Sequence, residues 1–358
     1  MAKARGVAYW LSLAGVGTLL GWFGNQVGMP LPWLLCPLLV AGVAAALGHS
    51  PVESSKLRRV SQTVIGTAIG HSFSASVLAT LVSLIPLMIG MALWSVLVSA
   101  VCSLLLVRFA RLDRTSALLA NMPGGVAEMA FLAEEMGKPT SPMITLVQTM
   151  RLTSMVVLIP LGMALVLGTT GQGMALGQGH ATIGIETVIV LALGLVAGWL
   201  LQRIGVKNAF IIGALLVSLV DSATGILHGT VPGFLVVASQ ISIGLAIGAR
   251  FRREDLRRLP RVAVVGLLVS LTTSACTLTS AVAVALALGL DPYSMALAGA
   301  PAGIAEMVLT AGALGLSVPL VASFQILRIL VVNAFAGPIA ALWEKIGRLG
   351  RQASDRAP

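Results

Sequence analysis

The chain has 358 residues, of which 57% are hydrophobic and 10% charged. A soluble domain carries about 25% charged residues, so the composition excludes an ordinary water-soluble enzyme or binding module and specifies a membrane protein. The net charge of +10 does not mark a nucleic-acid binder. The basic residues stand in short segments between apolar runs, as in polytopic membrane proteins, and no helix-turn-helix or zinc finger can be placed.

At the N-terminus, "MAKARGVAYW" sets Lys3 and Arg5 before an apolar run that continues through Leu20 to Phe23. No small-x-small cleavage site succeeds it, so it reads as a retained first helix. After this segment, at roughly 7–24, come others at 31–48, 60–77, 79–107, 116–137 and 141–167. A bilayer crossing needs about 20 mostly apolar residues. Clear candidates are Val82–Val107, Met143–Leu167, Ile185–Leu201, Val262–Leu288 and Val318–Leu342. The Gly-rich, charge-poor stretch 168–184 reads as a joint.

Beyond the joint the chain repeats itself. "GWFGNQVGMPLPWLLCPLL" (21–39) matches "GWLLQRIGVKNAFIIGALL" (198–216), and "QTVIGTAIGHSF" (62–73) matches "QISIGLAIGARF" (240–251). "NMPGGVAEM" (121–129) matches "GAPAGIAEM" (299–307), and "QTMR" (148–151) matches "QILR" (325–328), always at an offset of 177 or 178. The division expected is a first membrane repeat over 1–168, a joint over 169–183, a second repeat over 184–346 and a basic cytoplasmic tail over 347–358.

The charges of the two copies are reversed. Lys56, Arg58 and Arg59 lie in 49–59, whereas the equivalent 227–232 has no Lys or Arg. The uncharged turn 74–78 corresponds to 250–261, which holds six arginines. Arg108, Arg111 and Arg114 face only Asp291, and the uncharged turn 25–30 faces Arg203 and Lys207. Because Lys and Arg mark cytoplasmic loops, equivalent loops belong on opposite sides, which demands an odd number of crossings per copy. The expected fold is therefore an all-α polytopic membrane protein of two inverted-topology repeats, with about ten transmembrane helices. Two further segments, 116–137 and 294–315, would be discontinuous or re-entrant. Both termini would be cytoplasmic.

These two segments carry the breaks: Pro123, Gly124 and Gly125 in one, Pro301 and Gly303 in the other. Proline removes a donor and glycine permits a tight change of direction. Past each break a half-helix starts with free N–H groups and a positive dipole end, a seat for an anion. That anion is either a substrate or the protein's own Glu128 or Glu306. Two structural readings of the glutamates are open: satisfying their own half-helix, or pairing with Arg328 and Arg151. A third role is coupling to protons or gating.

Arg151 and Arg328 are each the eleventh residue of a long apolar segment, about 15 Å from its start. A lone arginine near the bilayer centre costs from about 3 to more than 10 kcal/mol, so each needs a partner or a polar cavity. Gln148 and Gln325 lie three residues earlier on the same face. With Asn121, these four form the expected substrate site. "GTAIG" (66–70) and "GLAIG" (244–248) read as close helix packing, Asp221 and His228 as interfacial, and "TTS" (272–274) as satisfying nearby backbone. Cys36, Cys102 and Cys276 lie far apart in apolar stretches with no CxxC pair, as passive residues do. The four histidines have no metal-ligand spacing, so no metal, cofactor or catalytic residue is expected.

The duplicated P-[GA]-G-[VI]-A-E-M motif and the "GxxIGxxF" segment resemble the AbrB-type bacterial membrane proteins, over nearly the whole chain. That family is catalogued from a regulatory phenotype and sometimes labelled an ammonia monooxygenase; the soluble DNA-binding protein of the same name is different. Its broader fold is similar to the superfamily of cation/proton antiporters and anion transporters, whose inverted repeats carry discontinuous segments. The resemblance implies that the motifs around Pro123 and Pro301 line a transport site. The chain lacks the Asn-rich motif of the sodium-coupled relatives.

The function expected is a secondary transporter of a small anionic solute in the bacterial cytoplasmic membrane, not an enzyme. Its partners would be the lipid bilayer and a small-molecule substrate, with no nucleic acid, and a homodimer is compatible with it. The rivals are a non-transporting regulator acting through a cytoplasmic partner and, behind it, the monooxygenase. In a background with the three native cysteines replaced by serine, Lys56→Cys and Thr230→Cys should react with an impermeant maleimide from opposite membrane sides. Labelling from one side would rule out inverted repeats.

Overall fold

A computed structural model describes residues 2–49, 54–138, 140–168, 183–227, 230–251 and 253–354. Most of the joint, His228 and the last four residues of the basic tail lie outside the described residues. The first repeat forms α1 (Ala2–Gln26), α2 (Pro32–Ala46), α3 (Ser55–Gly70), α4 (Ala75–Ser83), α5 (Ile85–Ala110), α6 (Arg114–Asn121), α7 (Val126–Glu135) and α8 (Ser141–Leu167). The second forms α9 (Ile185–Arg203), α10 (Ala209–Thr224), α11 (Gly233–Gly248), α12 (Arg253–Arg258), α13 (Pro260–Leu288), α14 (Pro292–Gly299), α15 (Ile304–Ala313) and α16 (Val318–Ser354). Among the described residues there is no strand.

Five helices, α5, α8, α9, α13 and α16, are long and apolar enough to cross a membrane, and they coincide with the five clear candidates of the sequence. Helices α2, α3, α10 and α11 have only 15 or 16 residues, about 23–24 Å at 1.5 Å per residue. Several expected boundaries move: the third segment ends at Gly70 rather than 77, and 75–83 forms a helix of its own before α5. The third segment starts at Ser55 rather than near 60, with the Ser54 side chain accepting from the Leu57 N–H. Lys56, Arg58 and Arg59 are thus helical rather than loop residues. Lys and Arg are good helix formers, and a hydropathy profile cannot see a polar extension of an apolar helix.

Two bundles form, and neither is one repeat. Helices α1, α2, α3, α9, α10 and α11 pack together, while α5–α8 and α13–α16 make the second bundle. The bundles touch through α3 against α15 and α16. Each therefore draws on both repeats, so a repeat is a unit of sequence rather than of packing.

Glycines lock the first bundle. A Cβ on Gly66 would stand 2.4 Å from the Ile211 carbonyl oxygen, and one on Gly70 would stand 2.6 Å from that of Leu215. On the other pair, Gly244 and Gly248 meet the Leu34 and Leu38 carbonyls, with a Cβ at 2.3 Å in each case. The small-residue motifs are close packing, as their spacing suggests. These contacts also set direction: both numbers rise together, so α3 runs parallel to α10, and α11 parallel to α2. The start of α3, the start of α10 and the end of α11 line one cavity. Equivalent helices, α3 with α11 and α2 with α10, consequently run in opposite directions.

The interrupted segments are hairpins. Lys138 Nζ, just past α7, lies 3.8 Å from Asp113 Oδ1 at the start of α6, and 3.4 Å from Glu344 Oε1 late in α16. In the second repeat, the Ser317 N–H donates to Ser294 Oγ at 3.0 Å, closing α14–α15 in the same way. Each segment thus enters and leaves at one end. Glu344 and Ser317 stand at opposite ends of some 27 residues of α16, about 40 Å apart, so the hairpins enter from opposite ends of the bundle. Asp113 and Asp291 cap the entering helices, accepting from the Ser116 and Ser294 N–H groups at 3.1 and 2.8 Å.

Asp221, near the end of α10, is buried: it accepts from the Leu227 N–H at 2.8 Å and stands 3.4 Å from His71 Nε2. Cys102 and Cys276, distant in sequence, come into side-chain contact between α5 and α13 as free thiols.

Gly66→Ala and Gly244→Ala should each destabilise the protein by about 1–3 kcal/mol through overpacking, read as a lower Tm in detergent. Gly162→Ala in α8, where an added Cβ meets nothing within 4 Å, should instead be neutral or stabilising by about 0.5–1 kcal/mol.

Candidate functional site

Where α6 and α14 stop, their last carbonyls have no helical partner. Each chain turn is tightened at a proline: Gly124 N–H donates to Met122 O, and Ala302 N–H to Ala300 O, both at 2.8 Å. The two donors straddle Pro123 and Pro301, whose fixed φ near −65° suits such a three-residue turn.

The long helices beside the hairpins supply the missing donors. On α8, Gln148 Nε2 donates to Leu119 O at 2.8 Å and Met122 O at 3.0 Å. Arg151 Nη1 donates to Asn121 O at 2.8 Å and Met122 O at 2.9 Å, while Nη2 reaches Gln148 Oε1 at 2.6 Å. On α16, Gln325 Nε2 donates to Leu297 O at 2.8 Å and Ala300 O at 3.0 Å. Arg328 donates to Ala300 O, to Ala302 O at 3.0 Å and to Gln325 Oε1 at 2.6 Å. Each repeat thus carries the same guanidinium–amide clamp on its own hairpin tip.

A carboxylate lies on the far side of each tip. Gly125 and Gly303 are the N-caps of α7 and α15, and Glu128 and Glu306 fall three residues later. In a capping box that third position reaches back to the helix start. Here the carboxylates fold back so closely that a Cβ on Gly125 would lie 1.8 Å from Glu128 Oε2, and one on Gly303 1.9 Å from Glu306 Oε2. Only glycine leaves that room. Of the readings open in the sequence, the glutamates therefore sit over their own half-helices. Among the described residues neither pairs with Arg151 or Arg328; Glu128 pairs with Lys207 at 3.4 Å.

Both arginines are 4% exposed, and each keeps an Nε–H with no partner among the described residues. They lie near enough for their charges to repel. Both line a cavity of about 1100 Å³ between the bundles, together with both hairpin tips. From the first bundle it is lined by Arg58, Arg59 and Gln62 of α3, by Lys207 and Asn208 before α10, and by Arg250 after α11. Six cationic side chains therefore face two carboxylates. Among the described residues no three His, Cys, Asp or Glu gather as a metal site would.

The expected substrate residues are distributed unevenly. Arg151, Arg328 and Gln148 line the cavity, though most of their donors are committed to backbone. Gln325 and Asn121 are fully buried and do not line it. Asn121 Nδ2 donates to Ser99 O and Thr273 Oγ1, both at 2.9 Å, tying the first hairpin to α5 and α13. In the second repeat Gly299 replaces this lock with close packing on Ala281. Thr272 and Thr273 donate to the Leu268 and Val269 carbonyls, as their motif suggests. Missing from the sequence-derived site are Arg58, Arg59, Lys207, Arg250 and Asn333, all of which line the cavity. In the sequence the four cations speak only to sidedness, and Asn333, one and a half turns past Arg328, carries no signal of its own.

Helices alone, five apolar spans and two interior hairpins meeting at a cavity define a polytopic α-helical membrane protein. The chain belongs to the AbrB family: the family model described as "Transition state regulatory protein AbrB" matches residues 33–344. It is 27% identical to "Uncharacterized protein YhjN" of Bacillus subtilis (strain 168), over 90% of each chain. It is 23% identical to "Putative regulator AbrB" of Escherichia coli (strain K12), over 94% of this chain and 96% of that one.

Arg328→Lys keeps the charge but not the planar fork. It should lower the stability of purified protein by about 1.5–3 kcal/mol for each charged hydrogen bond not remade, read by denaturation in detergent. An unchanged midpoint would show that the clamp contributes nothing to the fold.

Proposed function

We propose that the protein is a secondary transporter of a small anionic solute, moving one bundle against the other so that the hairpin tips face each side of the membrane in turn. The observation that carries this reading is the cavity: it joins basic helix ends to both tips, and its cations outnumber its carboxylates three to one. Paired discontinuous segments in inverted repeats, with a site at the repeat interface, are a transporter pattern. The opposed directions of equivalent helices support inverted repeats, and the basic segments support a cytoplasmic mouth with both termini on that side. Lipid and the solute are its partners, and no enzymatic step is assigned to it.

The anion would meet Arg58 and Arg250 on the first bundle and the guanidiniums of Arg151 and Arg328 on the second. Glu128 and Glu306 would couple transport to protons or gate it, and the Glu128–Lys207 pair bridges hairpin and opposite bundle in this state. The family description and the name of the Escherichia coli relative favour a second reading, a membrane regulator. The helix Arg253–Arg258 would then contact a cytoplasmic partner.

Thermal-shift screening of the purified protein against carboxylates, amino acids and sugar acids should find stabilisers among the anions. Those anions should accumulate in proteoliposomes. The double variant Arg58→Gln/Arg250→Gln should weaken their binding at least about tenfold, as expected for losing charged hydrogen bonds, while melting normally without solute. Absence of both stabilisation and uptake across the panel would sink the transporter reading.

A further inference from the structure

We propose that Glu306 holds, with its own carboxylate, the seat of a planar oxyanion, and that protonation of Glu306 hands this seat to the transported anion. The inference rests on the reading of the cavity as an anion pathway and assigns its proton coupling to one residue.

The seat is the N-terminus of α15, ten residues long, whose first N–H groups and dipole favour negative charge. A second feature makes it a built site. Arg328 is held against it through Ala300 O and Ala302 O, is 4% exposed and keeps its Nε–H unused. Arg151 does the same on the other tip, and neither guanidinium has a carboxylate partner among the described residues. Buried cations without counter-charge are costly, so the tips demand an anion.

The two repeats are not equal. Glu128 is tied to Lys207 at 3.4 Å and its side chain is 28% exposed. Glu306 is 8% exposed and makes no ion pair among the described residues. The charged groups bearing on it are Arg250 from the end of α11 and Arg58 from α3; Arg59, Arg151, Lys207 and Arg328 line the same cavity. Glu128 is the other acid of the cavity, and α15 has no further charged residue. In this proposal Glu306 occupies the seat as the carboxylate while no other anion is there. An incoming anion repels the carboxylate, which takes a proton from cavity water and swings off the half-helix as the anion accepts its N–H groups. One negative charge replaces another, so anion and proton travel together with the charge of the site unchanged.

Nitrate tests this without knowledge of the natural solute, because it is planar and keeps its charge at every working pH. Nitrate-dependent thermal stabilisation of the full chain is measured at constant ionic strength. In the unmodified protein nitrate affinity should rise as pH falls, approaching about tenfold per unit for one linked proton. Glu306→Gln should bind nitrate with affinity independent of pH, and Glu128→Gln should keep the original slope. Should Glu306→Gln fold poorly, proton uptake by the unmodified chain on nitrate addition, in weak buffer, gives the same answer. No nitrate response in any chain, a flat response in the unmodified one, no proton uptake, or a slope that tracks Glu128 overturns the proposal. Anion uptake in liposomes with a flat nitrate profile sinks this inference alone. The expected nitrate behaviour without uptake of any anion sinks the transporter reading and leaves the seat standing.

Discussion

A helix that stops inside a bilayer strands its last carbonyls and the first N–H groups of the next helix, and water is not there to take them. Each such group costs several kcal/mol when left alone. In this protein the problem arises twice, and the same side chains gather at it twice. Gln148 with Arg151, and Gln325 with Arg328, hold the carbonyls; Glu128 and Glu306 fold back toward the N–H ends. Once these are in place, much else is constrained. A side chain on the residue before either half-helix would displace the returning carboxylate. The arginines must sit mid-helix, level with the tips, despite their charge.

The clamp also limits what the arginines can do. A guanidinium whose Nη groups bind three oxygens is held in place and cannot swing out to escort a solute. The mobile chemistry of the cavity therefore falls to groups outside the clamp: the carboxylates, and the cations brought from the opposite bundle. Those cations stand on α3 and at the ends of α10 and α11, a bundle whose helices are pressed together at glycine–carbonyl contacts that tolerate little sliding. Close packing within the first bundle contrasts with the wide gap that separates it from the second.

Much of this was legible in the sequence. The constant offset revealed the duplication, the reversed Lys and Arg pattern anticipated the opposed helix directions, and the Pro-Gly breaks fall where the hairpins turn. The eleventh-residue count placed both arginines correctly, since α8 begins at Ser141 and α16 at Val318. Other features were hidden. Arg58 and Arg59 look like loop residues because a hydropathy profile ends a helix where polarity begins. Asn121 looks like a ligand-binding group, although packing against α5 and α13 buries it completely. Asp291 looks like a loop charge, yet it and Asp113 cap hairpin helices.

By itself the sequence determined the class of protein, its repetition, the reversal of charge between its two copies and the points where helices break. These depend on local composition and on spacing along the chain, which apolar periodicity and proline chemistry express directly. Only the tertiary structure decided which surroundings each polar group takes: carbonyls rather than carboxylates for the arginines, and a place folded back on the parent half-helix, away from Arg151 and Arg328, for the glutamates. Hydrogen-bond partners are chosen by proximity in three dimensions, and proximity here is created by hairpins folding back and by helices from different repeats joining one bundle.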